Sequence, residues 1–168
     1  PSDDGGNPFG LQHIAGCFGV KSDMPPVIWG VDLAKSVDWT WAIALDAEGR
    51  QCASERWQGP WDLTASKLAA MIGHTPAVVD STGVGDPVVE RLQKSCPRME
   101  GFKFTSQSKQ QLMEGLAVAL QQRTVTYYDE MLRNELETYE YEYTRSGVRY
   151  TAPEGLHAVL RAYYHHKS

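Results

Sequence analysis

The sequence has few cysteines, no long apolar run and no excess of positive charge. Its three cysteines, Cys17, Cys52 and Cys96, form no CxxC pair, which argues against a disulfide framework or a zinc ribbon and predicts reduced core thiols. No stretch approaches the roughly 18 apolar residues of a membrane span, so no membrane partner is expected. Because the formal net charge is −5, a nucleic-acid partner would need a local basic patch or metal ions.

The composition fits one globular domain. A chain of 168 residues that is 42% hydrophobic and 22% charged can build a single core. Residues 1–26, rich in Gly, Pro and Asp, predict a linker or arm, and residues 27–168 predict the domain itself. The start without Met leads us to expect a piece of a longer protein.

Hydrophobic periodicity predicts an α/β domain, with a mixed sheet flanked by helices. Three leading strands joined by short turns should form an antiparallel meander. Asp62 and Asp86 are expected as helix caps, and Ser108 with Gln111 as a capping box. The predicted order is strands 27–33, 38–46 and 51–57, helix 61–73, strand 76–80, helix 86–95, strand 101–104, helices 108–122 and 129–139, a β-hairpin from "YEYEYT" to "VRYT", and a final helix.

Two aspartates, Asp32 and Asp80, follow short buried strands. Ligands bind at the carboxyl edge of open α/β sheets, so the two carboxylates converge if their strands are neighbours. Like charges that close need a counter-cation, and oxygen ligands favour Mg²⁺ or Mn²⁺ over zinc. Two such ions about 4 Å apart would activate a water and stabilise the leaving oxygen in phosphodiester hydrolysis. Either aspartate alone could equally be a cap or turn residue, but together they favour a site; Asp38, which opens the second strand, is either a turn carboxylate or a third member.

Several segments together resemble the C-terminal nuclease domain of the large terminase subunit of tailed bacteriophages. These segments are, in order, "NPFGLQHI", "GVDLAKSVDWTWAIALD", "VVDSTGVGDPVVERL", "FTSQSKQQLMEGLAVAL" and "YTAPEGLH". The resemblance implies an RNase H-like fold and metal-dependent cleavage of double-stranded viral DNA during genome packaging, in the cytoplasm of the host cell. It assigns the family's first two acidic ligands to Asp32 and Asp80, with Asp38 assisting the metals. It also implies an upstream ATPase domain, since no Walker A sequence is present, and the portal and small terminase subunit as partners.

The family pattern is incomplete at its last acidic position. After P-x-G-x-H the family continues with two aspartates, the first of which is the third acid, whereas here "GLH" runs into "AVLRAYY" with no Asp or Glu between His157 and Ser168. Either this ligand is lost or altered, or its segment is missing from the chain. Glu154 is the nearest remaining acid and is not assigned as a ligand. His157 would lie near the metals and assist proton transfer, or is an ordinary loop histidine.

Three basic residues are candidates for DNA contacts. Lys109 matches the lysine that opens the family's helix after the S-x-S loop, and Arg145 and Arg149 lie at the tip of the predicted hairpin. Phosphate contacts need only positioned positive charge. Solvated side chains are the alternative at all three positions.

Other functions share parts of this pattern. "GVDLAKS" and "VVDSTGVGD" also resemble the phosphate loops of actin-like ATPases and sugar kinases, although those proteins need a duplicated domain to enclose a nucleotide. A nuclease-like fold kept only for docking DNA or a portal is a third possibility. A resolvase-type nuclease is a fourth, which the terminase-like order of segments disfavours.

Overall fold

The computed structural model describes residues 6–34, 39–144 and 147–151, those after residue 139 by their backbone alone. Five helices and seven strands lie in these ranges. The helices are α1 (Leu11–Cys17), α2 (Trp61–Ile72), α3 (Asp86–Gln93), α4 (Ser106–Gln122) and α5 (Glu130–Thr138). The strands are β1 (Ile28–Asp32), β2 (Thr40–Leu45), β3 (Gln51–Trp57), β4 (Ala77–Asp80), β5 (Met99–Phe102), β6 (Glu140–Thr144) and β7 (Gly147–Thr151).

The central sheet has the strand order β3-β2-β1-β4-β5. Strands β1, β2 and β3 form the predicted antiparallel meander, whereas β4 pairs in parallel with both β1 and β5. Strands β6 and β7 pair as a separate antiparallel hairpin. The predicted mixed α/β sheet with its leading meander and C-terminal hairpin is therefore confirmed, and β1 and β4 are neighbours, as convergence of the two aspartates requires.

Apolar side chains cover both faces of the sheet, because alternate residues of a strand point to opposite sides. Val31 and Val79 lie on the face that packs against Leu68 of α2 and Leu92 of α3. The other face carries Ile43 and contacts helices α1, α4 and α5. A strand covered on both sides reads as a continuous apolar run, which is the pattern found in β1 and β4.

Helix α1 lies within the segment predicted as an arm and packs into the core. Phe9, Ile14 and Cys17 are almost completely buried in the cluster formed with α4 and α5. Asn7 donates from Nδ2 to the carbonyl oxygen of Leu136, 2.7 Å away, which ties the segment to the end of α5. The upstream ATPase domain stays a prediction.

Three helices begin differently from the sequence prediction. Helix α3 starts at Asp86 itself with Gly85 as its N-cap, so Asp86 lies inside the first turn and is not the cap. Helix α2 starts at Trp61 after an extended Pro60, so Asp62 lies inside the first turn and is not the cap. Helix α4 is capped by Thr105, whose hydroxyl accepts from the Ser108 amide at 3.1 Å while the Ser108 hydroxyl accepts from the Thr105 amide at 3.0 Å. The capping box therefore begins three residues before the predicted one, because Thr105 and Ser108 have the spacing that a box requires.

The three cysteines are buried and free of disulfides, as predicted. Burial raises the pKa of each thiol above its usual value, which keeps the groups protonated and unreactive. Within the described ranges, no helix combines the length and the apolar character needed to cross a membrane.

Candidate active site

Asp32 and Asp80 end neighbouring parallel strands at the same level. The register pairs Val31 with Val79, so the next residues of the two strands, Asp32 and Asp80, are side by side. Neighbouring strands are about 4.8 Å apart, and residues in register point to the same face. Both side chains are half-buried. The sheet therefore brings together the two aspartates that the sequence singled out.

The same register continues across all five strands. Asp32 is opposite Trp41 of β2, Trp41 is opposite Arg56 of β3, and Asp80 is opposite Phe102 of β5. We call these five residues the carboxylate row. Since Val31 and Val79 point toward α2 and α3, the row points to the other face, where α4 and α5 pack.

The loop after β4 holds the Asp80 carboxylate in place. The Thr82 amide donates to Asp80 Oδ1 at 2.9 Å, and the Thr82 hydroxyl accepts from the Phe104 amide at 3.0 Å. The Ser81 amide donates to the Phe102 carbonyl at 3.0 Å, which extends the pairing of β4 with β5. Gly85, with φ of 82°, lets the chain turn into α3. This loop therefore orients one oxygen of the Asp80 carboxylate.

A buried threonine closes the connection between β1 and β2. Thr40 is 2% exposed, and its hydroxyl accepts from the Ala34 amide at 3.0 Å. The bond joins the chain just after Asp32 to the start of β2. Sequence reasoning did not identify Thr40, because a strand threonine has no local signal for a bond to a backbone group six residues earlier.

The paired carboxylates fit a hard divalent cation. Two full negative charges about 5 Å apart repel by about 3 kcal/mol at an effective dielectric constant of about 20, which a cation between them would reverse. Carboxylate oxygens are the donors that Mg²⁺ and Mn²⁺ favour. In the part of the chain that the structure describes, no group of three or more His, Cys, Asp or Glu side chains is placed to hold a metal. The pair is therefore the described portion of the candidate metal site.

The structure describes only some of the other predicted site residues. Asp38, Arg145 and His157 lie outside the described residues. Lys109 is half-buried in the first turn of α4, whose amino end follows β5 at the edge that carries the carboxylate row. Arg149 lies on β7 opposite Glu142. Their roles in binding or catalysis stay predictions.

Two tryptophans and an arginine beside the aspartates were not predicted as site residues. The Arg56 guanidinium lies 4.7 Å from the Trp39 ring centre and 5.2 Å from that of Trp41. Trp39 is 41% exposed, a large fraction for an aromatic side chain. The available signal was the alternation of β2 and β3, which puts Trp41 and Arg56 on the face of Asp32 once the register is known.

Comparisons with known proteins point to one group. No family model matches the chain. The large terminase subunit of Thermus phage G20c is 30% identical over 146 residues, which are 80% of this chain and 27% of that protein. The crystal structure of the large terminase nuclease from thermophilic phage G20c with bound magnesium superposes with a TM-score of 0.80 at 22% identity, covering 98% of each chain. The large terminase nuclease domain of bacteriophage SPP1 with bound Mn gives a TM-score of 0.59 at 14% identity, covering 88% of this chain and 93% of that one.

These similarities agree with the sequence prediction of the fold. The chain spans about a quarter of the length of the large terminase subunit that it matches. The structural match covers nearly all of a separately crystallised nuclease domain. The RNase H-like α/β fold predicted from the sequence is therefore confirmed.

Proposed function

The chain is related in sequence to large terminase subunits and has the fold of their nuclease domains, and from this premise we propose that it is a metal-dependent endonuclease domain. Its substrate is double-stranded viral DNA, which it cleaves during genome packaging. The reaction is hydrolysis of a phosphodiester bond with water as the nucleophile and without a covalent intermediate.

The observation that carries this proposal is the side-by-side placement of Asp32 and Asp80 at the carboxyl edge of the sheet. That edge is where open α/β sheets bind their ligands. Two carboxylates in one register row concentrate negative charge where an apolar pair would stabilise the fold more simply. A site that binds cations accounts for this arrangement.

Asp32 and Asp80 would hold Mg²⁺ or Mn²⁺, with two ions in the complete site. When bound, such ions activate a water and neutralise the charge that develops on the leaving oxygen. The protein's own contribution is to fix the ligands. The Thr82 amide holds Asp80 in one orientation, and the bond from the Ala34 amide to Thr40 fixes the chain that follows Asp32. Preorganised ligands lose little freedom when the substrate binds.

The remaining sequence predictions extend this proposal. Asp38 assists the metals and His157 assists proton transfer, while Lys109, Arg145 and Arg149 contact DNA. The third acidic ligand has no counterpart between His157 and Ser168. An ATPase domain of the same protein delivers the DNA, and the portal and the small terminase subunit are further partners in the host cytoplasm.

A plasmid-cleavage assay tests the proposal. The 168-residue chain should linearise and then degrade plasmid DNA with Mn²⁺ or Mg²⁺, and EDTA should stop the reaction. Asp32→Ala should abolish cleavage. Asp62→Ala is the matched control, since Asp62 is an exposed aspartate in the first turn of α2. Cleavage that survives EDTA or Asp32→Ala would overturn the proposal, and DNA binding without cleavage in any metal would instead favour a domain that only docks DNA.

A further inference from the structure

The guanidinium of Arg56 lies among neutral groups. It is close to the Trp39 and Trp41 rings, and Nη1 donates to Met131 Sδ at 2.7 Å. Nε is buried and, among the described residues, has no hydrogen-bond acceptor. No carboxylate of the described ranges forms an ion pair with this side chain. A permanent positive charge is thus held in place without an anionic partner among the residues that the structure describes.

This arrangement differs from that of the two other basic side chains that lie over aromatic rings in the described structure. Arg133 also lies over an aromatic ring, that of Phe18, but it reaches a carboxylate at 3.9 Å. Lys67 lies over Trp57 and pairs with Glu55 at 2.6 Å. Arginine stays charged in proteins, and a half-buried charge is stabilised most by a partner of opposite sign. Arg56 has the donors for an anion, and the described residues around it supply none.

Arg56 lies in the same row across the sheet as the aspartates of the candidate active site. Arg56 is two strands from Asp32 in the carboxylate row, a separation of about 10 Å at the usual strand spacing. Duplex DNA carries one phosphate for every ~3.4 Å of axis on each strand, so a phosphate near the scissile one lies within such a distance. The exposed Trp39 ring puts the guanidinium at the solvent edge of the sheet.

We propose that Arg56, held by Trp39 and Trp41, binds a DNA backbone phosphate next to the one that is cleaved. This inference rests on the proposed endonuclease function and adds a binding residue to it. The two rings restrict the planar guanidinium before DNA arrives, so less side-chain freedom is lost when its remaining donors bind phosphate oxygens. Because the contact is to the backbone, it fixes the register of the duplex over the aspartates without reading its sequence.

Equilibrium binding to a short fluorescein-labelled duplex, followed by anisotropy in EDTA over a range of salt concentrations, tests the proposal. Arg56→Gln should weaken binding about tenfold, the usual effect of losing one hydrogen bond to a charged group. It should also reduce the slope of log Kobs against log salt by about 0.9, the contribution of one phosphate. Arg56→Lys should keep the slope and lose part of the affinity, because it keeps the charge but not the planar fork.

Arg50→Gln is the matched control. Arg50 is exposed in the turn at the opposite end of the β2–β3 hairpin and pairs with Glu48. The Arg50→Gln variant should leave both the affinity for the duplex and the slope of log Kobs against log salt unchanged. Trp39→Leu should lower the affinity while keeping the slope, since it releases the guanidinium without removing its charge. Thermal melting of each variant separates a loss of contact from a loss of fold.

The outcomes distinguish this inference from the proposed function. If the unsubstituted chain cleaves plasmid with Mn²⁺ but Arg56→Gln binds the duplex as Arg50→Gln does, Arg56 only covers Trp41 and the inference alone fails. If Arg56→Gln shows the expected loss while no metal supports cleavage, the endonuclease assignment fails and the DNA contact stands. A melt in which Arg56→Gln is unfolded, with Arg56→Lys binding like the unsubstituted chain at an unchanged slope, would show that charge alone is used and would overturn the role of the two rings.

Discussion

Opposite ends of the central sheet use aspartate in opposite ways. At one end, Asp46 follows β2 with 0% exposure, and its carboxylate accepts from the Ser22 hydroxyl at 2.5 Å and from the amides of Glu48 and Arg50 at 2.8 and 2.9 Å. At the other end, Asp32 and Asp80 are half-buried and side by side. Hydrogen-bond donors from Ser22 and from its own turn enclose Asp46, whereas Asp32 and Asp80 lie beside each other at the carboxyl edge of the sheet.

The difference separates a carboxylate that stabilises the fold from a pair that we propose is placed for a metal ion. Burial raises the pKa of Asp46, but the bonds from Ser22, Arg50 and Glu48 and the charge of Arg50 outweigh it, so the pKa lies below its usual value. The ionised form of Asp46 therefore stabilises the native state. In the proposed site, a cation between Asp32 and Asp80 would stabilise their ionised forms.

The largest effect is expected when the same substitution, aspartate to asparagine, is made at each end of the sheet in turn. We expect Asp80→Asn to reduce plasmid cleavage about a thousandfold, because a lost ligand removes several kcal/mol of charge stabilisation, while the melting temperature does not fall. Asp46→Asn should do the reverse, lowering the melting temperature and leaving the cleavage rate of the folded chain unchanged. Cleavage rates and melting curves of both variants check this, and equal losses of activity would remove the distinction between the ends.

Truncating Asp46 should have the next largest effect. Asp46→Ala leaves the Ser22 hydroxyl and two turn amides without their acceptor, so we expect a loss of about 3 kcal/mol in the free energy of unfolding, or roughly 10 °C in melting temperature. Urea unfolding measures the change. Glu48→Ala is the control, because its exposed ion pair with Arg50 should contribute less than about 1 kcal/mol. If both variants lose the same amount, the hydrogen bonds to Asp46 add nothing to the fold.

The two ends also differ in how far the sequence predicted them. Asp32 and Asp80 could be identified because each follows an apolar run, and the parallel pairing of β1 with β4 then brings them together. Asp46 was assigned only to a strand end, because its partner Ser22 lies 24 residues earlier in a segment predicted as an arm. Its burial depends on that segment returning to the sheet, which local patterns do not specify.

Arg56 was missed for a related reason. Its neighbours Trp39 and Trp41 are known only once the register of β2 and β3 is known, and that register includes a shift between Ala44 and Leu45. The bond from the Ser54 hydroxyl to Asp129 likewise spans 75 residues. Local pattern thus predicted the strands, most helices and the acidic pair, whereas contacts across the sheet and between its layers required the structure.

The smallest expected effect is a change in how stability depends on pH. Because the native pKa of Asp46 is lowered from 3.8, the unfolded state binds a proton first as the pH falls. The stabilisation is therefore fully present above about pH 5 and is lost as the pH drops through the lower native pKa.

We expect the difference in unfolding free energy between the unsubstituted chain and Asp46→Asn to be constant from neutral pH to about pH 5 and to shrink below it. Urea unfolding at several pH values measures this difference. Glu48→Gln, in the same turn but exposed, is the control and should change the free energy of unfolding by less than about 1 kcal/mol. A difference for Asp46→Asn that grows as the pH falls would mean that the buried carboxylate is destabilising when ionised, and the contrast between the two ends of the sheet would no longer hold.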